Sequence, residues 1–405
     1  MIGSLYSGIS GLKANTSAMG VIGDNIANVS TTGFKSSRPS FANVFSSTLH
    51  QTGKEIGRGV VMNKITAQWE NGTFQNTTNP TDLAVNGTGM FIVADPNRGI
   101  SYYTRAGQFD WGLNGKLLTP DGLVAQGYTI DQNGALSPLG DIQLPNGVSM
   151  PKTTTTISFG INLSSMAEET DTFSSAVTVY DSLGGPVNLN LTFTKTANPG
   201  EWTVDVVSDR IGSTATISET TFTFNDAGVM TVPTDDPIIT VAGLAPAEDP
   251  LEISWTILNS QGVSDGSITS YASNSTRISQ YQDGYPSGTL QSVTVDENGI
   301  FSGIYSNGSL VPFAQLALAD FSSYSGLIKM SSNLYAESLG SGQPITGPAN
   351  TASFGSVASM ALEMSNVDLA TEFVEMIVTQ RAYQANSRVI TTSDELLQEL
   401  INMKR

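Results

Sequence analysis

At both ends of the chain apolar residues recur every seven positions, the spacing that draws a stripe down one side of an α-helix and leaves that stripe needing a partner. Near the N-terminus the column is Leu5, Leu12, Met19 and Ile26, with Ile2, Ile9 and Ile22 beside it before the second column degrades to Thr16 and Gly23. Near the C-terminus it is Leu362, Leu369, Met376, Tyr383, Ile390 and Leu397, flanked by Phe373 and Ile401. Ser365 and Asp368 stand as a capping box ahead of this second helix. At ~1.5 Å per residue the first helix would be about 40 Å long and the second, from Ser365 to Met403, nearly 60 Å. Neither buries its stripe alone, so each packs on the rest of the chain or on another molecule.

Between the ends the pattern changes to turns and short strands. Asn114-Gly115, Asn133-Gly134, Asp226-Ala227-Gly228, Asn298-Gly299 and Asn307-Gly308 punctuate the sequence as hairpin turns do. Residues alternate in character over Ala176–Tyr180, Asn188–Phe193 and Trp202–Val206, which predicts half-buried strands. With 405 residues the chain exceeds one core. Breaks near Pro151-Lys152 and near Asp283-Gly284-Tyr285-Pro286 mark residues 151–283 as a domain inserted into another. The expected fold is multidomain and mainly β, with long α-helices at both termini.

Composition removes most chemistry. There is no cysteine, and His50 is the one histidine, in a polar stretch that reads as a solvated loop. A net charge of -18 opposes nucleic-acid binding. No window reaches the ~20 apolar residues of a membrane span, and Met1–Ser10 lacks the look of a cleaved signal peptide, so neither membrane insertion nor that export route is expected. The glycine pair of Val85-Asn86-Gly87-Thr88-Gly89-Met90 lacks the ending of a phosphate loop and reads as a strand turn. Asp296-Glu297-Asn298-Gly299 and Asp131-Gln132-Asn133-Gly134 lack the closing acid of a calcium loop. The carboxylate pairs Glu168-Glu169, Asp235-Asp236 and Glu248-Asp249 read as solvated surface, and Trp69, Trp111, Trp202 and Trp255 as core. No catalytic residue, cofactor site or metal site is expected.

Longer motifs then identify a family. The stretch from Ile22 through Asn25, Ala27, Asn28, Thr31, Gly33 and Phe34 to Lys35 resembles the signature of the bacterial flagellar rod and hook proteins. Ser365–Leu369 and Met376–Asn386 resemble the closing helix of the same family, and Asp82–Phe91 and Tyr103–Phe109 its first β-strands. Residues 151–283, with Val179-Tyr180-Asp181-Ser182-Leu183-Gly184, resemble the outer insertion of the family's hook members.

The resemblance implies residues 1–30 and 362–405 as a coiled-coil-like terminal helical domain lining an inner tube, and 31–70 as a linker. It implies 71–150 and 284–361 as a β-rich middle domain, and 151–283 as the β-rich outer domain. It further implies a structural subunit of the flagellar hook, a homopolymer forming a curved, flexible tube around a central export channel and passing torque from rod to filament. Implied partners are the flagellar rod at the proximal end, the hook-filament junction protein at the distal end, the hook cap during assembly, and the type III export apparatus. The implied location is extracellular, at the flagellar basal body and hook. In this reading the inter-subunit seam is Leu5, Ile9, Leu12, Met19, Ile22 and Ile26 against Leu369, Phe373, Met376, Tyr383, Ile390, Leu397 and Ile401 of neighbouring copies. Two alternatives stay open on the residues alone: a distal rod-type subunit, and a secreted β-rich adhesin or carbohydrate-active enzyme whose terminal helices pack in cis.

Overall fold

The computed structural model describes residues 2–44, 58–131, 134–145, 147–259, 261–351 and 353–402. His50 falls outside them. Two long helices, α1 (Ile2–Ala27) and α2 (Leu369–Asn402), bracket a body of β-strands, the fold class expected.

The start of α2 corrects the expected capping box. Its N-cap is Asp368, whose Oδ1 accepts the Ala370 N–H at 3.0 Å while its Oδ2 accepts the Thr371 hydroxyl at 2.7 Å. The Ser365 hydroxyl reaches only the Val367 N–H, at 3.4 Å. The helix is held off by Asn366, whose amide accepts from Ser36 N (2.7 Å) and donates to the carbonyls of Gln68 (3.0 Å) and Glu70 (3.1 Å), fixing residues 365–367 to another segment. With 34 residues, α2 spans about 51 Å instead of nearly 60.

The chain divides into two units, one of residues 1–144, 293–303 and 312–405, the other of 145–292 and 304–311. These limits lie outside the 151–283 read from the sequence. The reason is local pairing in the second unit: Ser149 N donates to Gly288 O at 2.7 Å, and the Asn307 amide donates to Pro286 O at 2.7 Å. Residues flanking the insertion, and the hairpin tip around Asn307-Gly308, therefore fold with it.

In the first unit, β1 (Ser37–Asn43) and β2 (Val60–Ala67) make an antiparallel ribbon, where a plain linker was expected. It lies along α1, with Val60 N donating to the Ser10 hydroxyl at 3.2 Å. The sheet proper is built on Met90–Ala94, which pairs with Ser101–Thr104, Val124–Ile130 and Leu310–Asp320. Its strands bury Phe91, Val93, Leu117, Leu316 and Leu318 in one cluster with Leu83. Two short pairings, Phe74–Asn76 with Ala361–Glu363 and Leu83–Asn86 with Ser356–Ser359, bring the chain leading into α2 onto this body. The Gly87 and Gly89 positions turn the chain between two strands at φ +112° and +114°, as expected.

The second unit has a meander of Thr172–Tyr180, Pro186–Lys195, Glu201–Ser208, Thr221–Phe224 and Met230–Val232. A second sheet contains Thr156–Asn162, Ile238–Ala242 and Leu251–Trp255. The three alternating stretches read from the sequence lie in the first three strands of the meander, burying every other side chain. Phe159, Phe193, Phe222, Trp202 and Trp255 share their core, with Phe159 edge-on to Trp255 at 5.5 Å. The chain enters and leaves the second sheet through one clasp: Asp283 accepts from Thr155 N and Thr156 N, both at 2.9 Å, and pairs with Lys152 at 3.0 Å. In Asp181-Ser182-Leu183-Gly184 the buried Asp181 accepts from Leu183 N (3.0 Å) and Gly185 N (2.7 Å) and pairs with Arg210 at 2.7 Å.

A buried charge cluster ties the segments around the two helices to the first unit's sheet. Glu363 is fully buried; its Oε1 lies 2.6 Å from the Lys35 Nζ and its Oε2 lies 3.2 Å from the Arg105 Nη1. Gly72 N adds a third donor at 3.1 Å. The cations have further acceptors, Lys35 in Glu70 O at 2.7 Å and the terminal nitrogens of Arg105 in Val85 O (3.2 Å) and Gly87 O (2.7 Å), while the buried Arg105 Nε has no partner. Burial pulls the Lys35 ammonium below its ordinary range, with Glu363 opposing. Gly33 N donates to Glu363 O at 2.7 Å, so backbone and side chain of one residue hold the same loop.

Replacing Glu363 with Gln would leave two cations buried against a neutral amide, and should cost about 3–5 kcal/mol in a urea titration of the monomer. Asp283 gives a pH-dependent case. Burial alone would push its carboxyl up, but the N–H groups of Thr156 and Thr155, the Lys152 ammonium and the Thr155 hydroxyl bring it down to about 2. Since the folded value is below the unfolded one, this contribution is complete above pH ~4 and is lost as pH falls through about 2. Asp283→Ala should lower stability at neutral pH by about 1–3 kcal/mol, and denaturant titrations should show the gap to the parent narrowing as pH drops from ~4.

Candidate assembly surface

The helices run antiparallel, in register from end to end. Ser4 Oγ meets Ser393 Oγ at 3.4 Å, and the Asn25 amide donates to Glu372 Oε1 at 2.9 Å. Between these points α1 turns small residues toward α2. A methyl placed on Gly8 would lie 3.0 Å from Ile390 Cγ1, and one on Gly11 would lie 2.8 Å from the Asn386 side chain. Gly8, Gly11, Ala14, Ala18, Val21, Ile22 and Asn25 are the buried positions of α1. The sequence reading missed this face because it tracked large apolar residues, whereas glycine and alanine let two backbones approach closely.

The expected seam residues divide between this contact and the outside. On α1 only Ile22 is buried; Leu5, Leu12, Met19 and Ile26 are half-buried and Ile9 is exposed. On α2, Met376, Ile390 and Leu397 are half-buried at the spacing of Glu372, Asn386 and Ser393, on the side facing α1. Leu369, Phe373 and Tyr383 are exposed instead. Ile401 lies in the helix, but its side chain is outside the described residues. A strict seven-residue column drifts ~20° per repeat on a straight helix, so Leu369 and Leu397 are turned by roughly 80° from one another.

What α1 leaves uncovered on α2 is an apolar face of Leu369, Phe373, Val374, Ile377 and Val378, of which Val374 and Val378 are each 61% exposed. It continues through three turns at spacings of four. A continuous face of this kind marks an interaction surface, unlike isolated exposed apolar residues.

The signature residues set conformation around the pair. Asn25 is buried, donating to Ser37 O and accepting from Ser37 N, both at 2.9 Å, while it holds Glu372. Glu372 is pushed up by burial, against the Asn25 hydrogen bond. Ala27 is the exposed last residue of α1. The Asn28 amide reaches back to Asp24 O at 2.9 Å and accepts the Thr31 hydroxyl at 3.1 Å, closing the turn after the helix. Gly33 has φ +67°, and a Cβ there would sit 2.4 Å from Ala106 N, so only glycine fits. Phe34 is buried with the Lys329 ammonium 4.5 Å from its ring centre. Lys35, Arg105 and Asn366 stood inside the quoted motifs without an assigned role, and Glu363 stood outside them. The signal available was a charged residue in an apolar run, as in Leu362-Glu363-Met364.

The carboxylates singled out in the sequence hold turns. Asp236 accepts from Ile257 N (2.9 Å) and Leu258 N (3.1 Å), Asp249 from Gly243 N (2.9 Å), and Asp296 from Asn298 N (3.0 Å) and Ile300 N (2.8 Å). Glu168, Glu169, Asp235 and Glu248 are exposed. Trp202 and Trp255 are fully buried, Trp69 and Trp111 partly so.

Four family models match successive parts of the chain. They are flagella basal body rod protein over residues 5–35, flagellar hook protein FlgE/F/G D1 domain over 84–162, flagellar basal body protein FlaE D2 domain over 149–285, and flagellar basal body rod FlgEFG protein C-terminal over 358–403. The flagellar hook protein FlgE of Salmonella typhimurium is 34% identical, the match covering 99% of this chain and all of that one. FlgE of Escherichia coli K12 is also 34% identical, covering 98% of both chains, and that of Borreliella burgdorferi is 33% identical over the whole of both. Among solved structures, Helicobacter pylori flagellar hook protein FlgE2 superimposes with a TM-score of 0.51 at 15% identity, over 72% of this chain and all of that one. A chain that matches such relatives from end to end at a third of its positions belongs to the flagellar hook protein family.

Proposed function

We propose that the chain is a structural, non-catalytic subunit of the flagellar hook whose terminal helices complete their burial only in a homopolymer. The observation that carries this is the uncovered face of α2 from Leu369 to Val378, which the chain's own α1 leaves to solvent. Full burial of one such side chain is worth ~1.5–3 kcal/mol. Four or five half-exposed residues per copy, each covered by a neighbour, thus supply several kcal/mol per contact without nucleotide or metal. The neighbours' covering surface is the half-exposed outer side of α1, with Leu5, Ile9, Leu12, Met19 and Ile26.

In this reading the helix pairs line a tube with a central export channel and the β-rich units form its outer layers. The tube is curved and bends as it turns, a universal joint between rod and filament, because outer units slide while the inner helices keep continuity. The flagellar rod would receive it at one end and the junction protein at the other, with a cap present during growth. Subunits would reach the growing end through the type III export apparatus, and the finished hook would lie outside the cell. The family supports these assignments, and the absence of cysteine suits a chain passed unfolded through an export apparatus.

Charges on the uncovered face test the seam. Phe373→Asp and Ile377→Asp should abolish tube formation by the purified protein, seen in electron micrographs, while the monomer's urea midpoint stays within about 0.5 kcal/mol of the parent. Normal tubes from either variant would refute the seam. Ile26→Asp and Leu397→Asp should also block assembly, but both sites are half-buried inside the chain, so a loss of helix-pair stability should accompany the block. Removing residues 151–283 should leave straight tubes that no longer curve, and curved tubes from that deletion would contradict the sliding role of the outer unit.

A further inference from the structure

The ribbon beside α1 is chemically unlike the rest of this acidic chain. Residues 37–44 and 58–67 contain Arg38, Arg58 and Lys64 and no carboxylate. Among the described residues none of these three cations has a carboxylate within salt-bridge distance. Lys64 reaches only a backbone carbonyl, Ser325 O, at 3.2 Å. The same ribbon leaves Val61 52% exposed on the face of Arg38 and Lys64, while Phe41 and Ile65, at 45% and 48%, stand on its other face. Among the described residues, neither of its strands pairs with a third strand. A face that carries these cations and the exposed Val61 fits a partner that is acidic and partly apolar.

Helix α2 has that complementary chemistry. Glu375, Asp394, Glu395 and Glu399 are exposed and, among the described residues, have no cation within salt-bridge distance. They are interspersed with the exposed Phe373, Val374, Ile377, Val378 and Leu396. Its own α1 lies against the stripe of Glu372, Asn386, Ile390 and Ser393.

We infer that the β1–β2 ribbon of one copy docks on α2 of a second copy, with Arg38, Arg58 and Lys64 facing the helix carboxylates and Val61 against its apolar residues. The inference rests on the homopolymer reading and adds a second element that covers the helix. It also gives the ribbon a role that contact with α1 alone does not require. Opposed charges of this kind set register and speed of association more than final affinity.

The test is a charge swap in the full-length chain, read by light scattering and electron microscopy at low ionic strength. The triple variant Arg38→Glu, Arg58→Glu, Lys64→Glu should slow tube formation at least tenfold with unchanged monomer circular dichroism. So should Glu375→Lys, Glu395→Lys, Glu399→Lys. Combining both sets in one chain should restore the rate to within about threefold of the parent, since every ribbon–helix contact is again between opposite charges. A ribbon variant that assembles at the parental rate overturns the inference while leaving the homopolymer intact, and so does a combined variant as slow as the single sets. Failure of the parent chain to polymerise would instead strike the reading beneath it. Assembly of the parent should slow as salt rises from 50 to 300 mM, on the order of one Debye length's worth of screening; for the ribbon variant the salt effect should vanish or reverse.

Discussion

Glu363 carries one negative charge into a place without water, and two cations from distant parts of the chain lean on it. A buried ion pair of this sort contributes little net stability over an apolar replacement, because desolvation of each charge consumes most of the attraction. What it does supply is intolerance of alternatives. Lys35 follows α1, Glu363 precedes α2, and Arg105 stands on the sheet, so the cluster is satisfied in one arrangement of all three segments. Asn366 and Gly33 repeat the constraint with backbone hydrogen bonds. The entry of both helices into the body is therefore fixed, and the helix pair begins from a fixed base at Asn25 and Glu372.

Above that base the packing is of a different kind. Gly8, Gly11, Ala14 and Ala18 bring α1 close to α2 without interlocking large side chains. The contact gains from proximity and gives up the burial that large residues would provide inside the monomer. Several large residues are left half-covered or bare instead, Leu5, Ile9, Leu12 and Met19 on α1 and Leu369, Phe373 and Tyr383 on α2. A monomer designed for independence would place them the other way round. The distribution is what a subunit needs if its neighbours, and not its own body, are to cover the stripe.

Much of this was legible in the sequence, and the misses have physical causes. Alternation found the three long strands of the second unit because each has one face in the core, and the turn residues found hairpins because positive φ selects glycine. Seven-residue periodicity located both helices but not their contact, since it weighs large apolar side chains and the inner face uses small ones. It also treated a drifting column as a single seam, which placed Leu369 and Leu397 on the same side. The cap of α2 was misplaced by one turn because Asn366 answers to residues about 300 positions earlier, Gln68 and Glu70. Glu363 was invisible for the same reason: its partners are 328 and 258 residues away, a separation at which no local pattern exists.

That separation has a temporal consequence. For a chain that emerges with its N-terminus first, Lys35 appears early and must wait for nearly the whole polypeptide before its counter-charge arrives. Contacts closing so large a loop form late, after local hairpins have set. Hairpins within both units are then set, while the pairing of Phe74–Asn76 with Ala361–Glu363 waits with the charge cluster. Until residue 363 is present, the segment that leads into α2 has no anchor on the sheet.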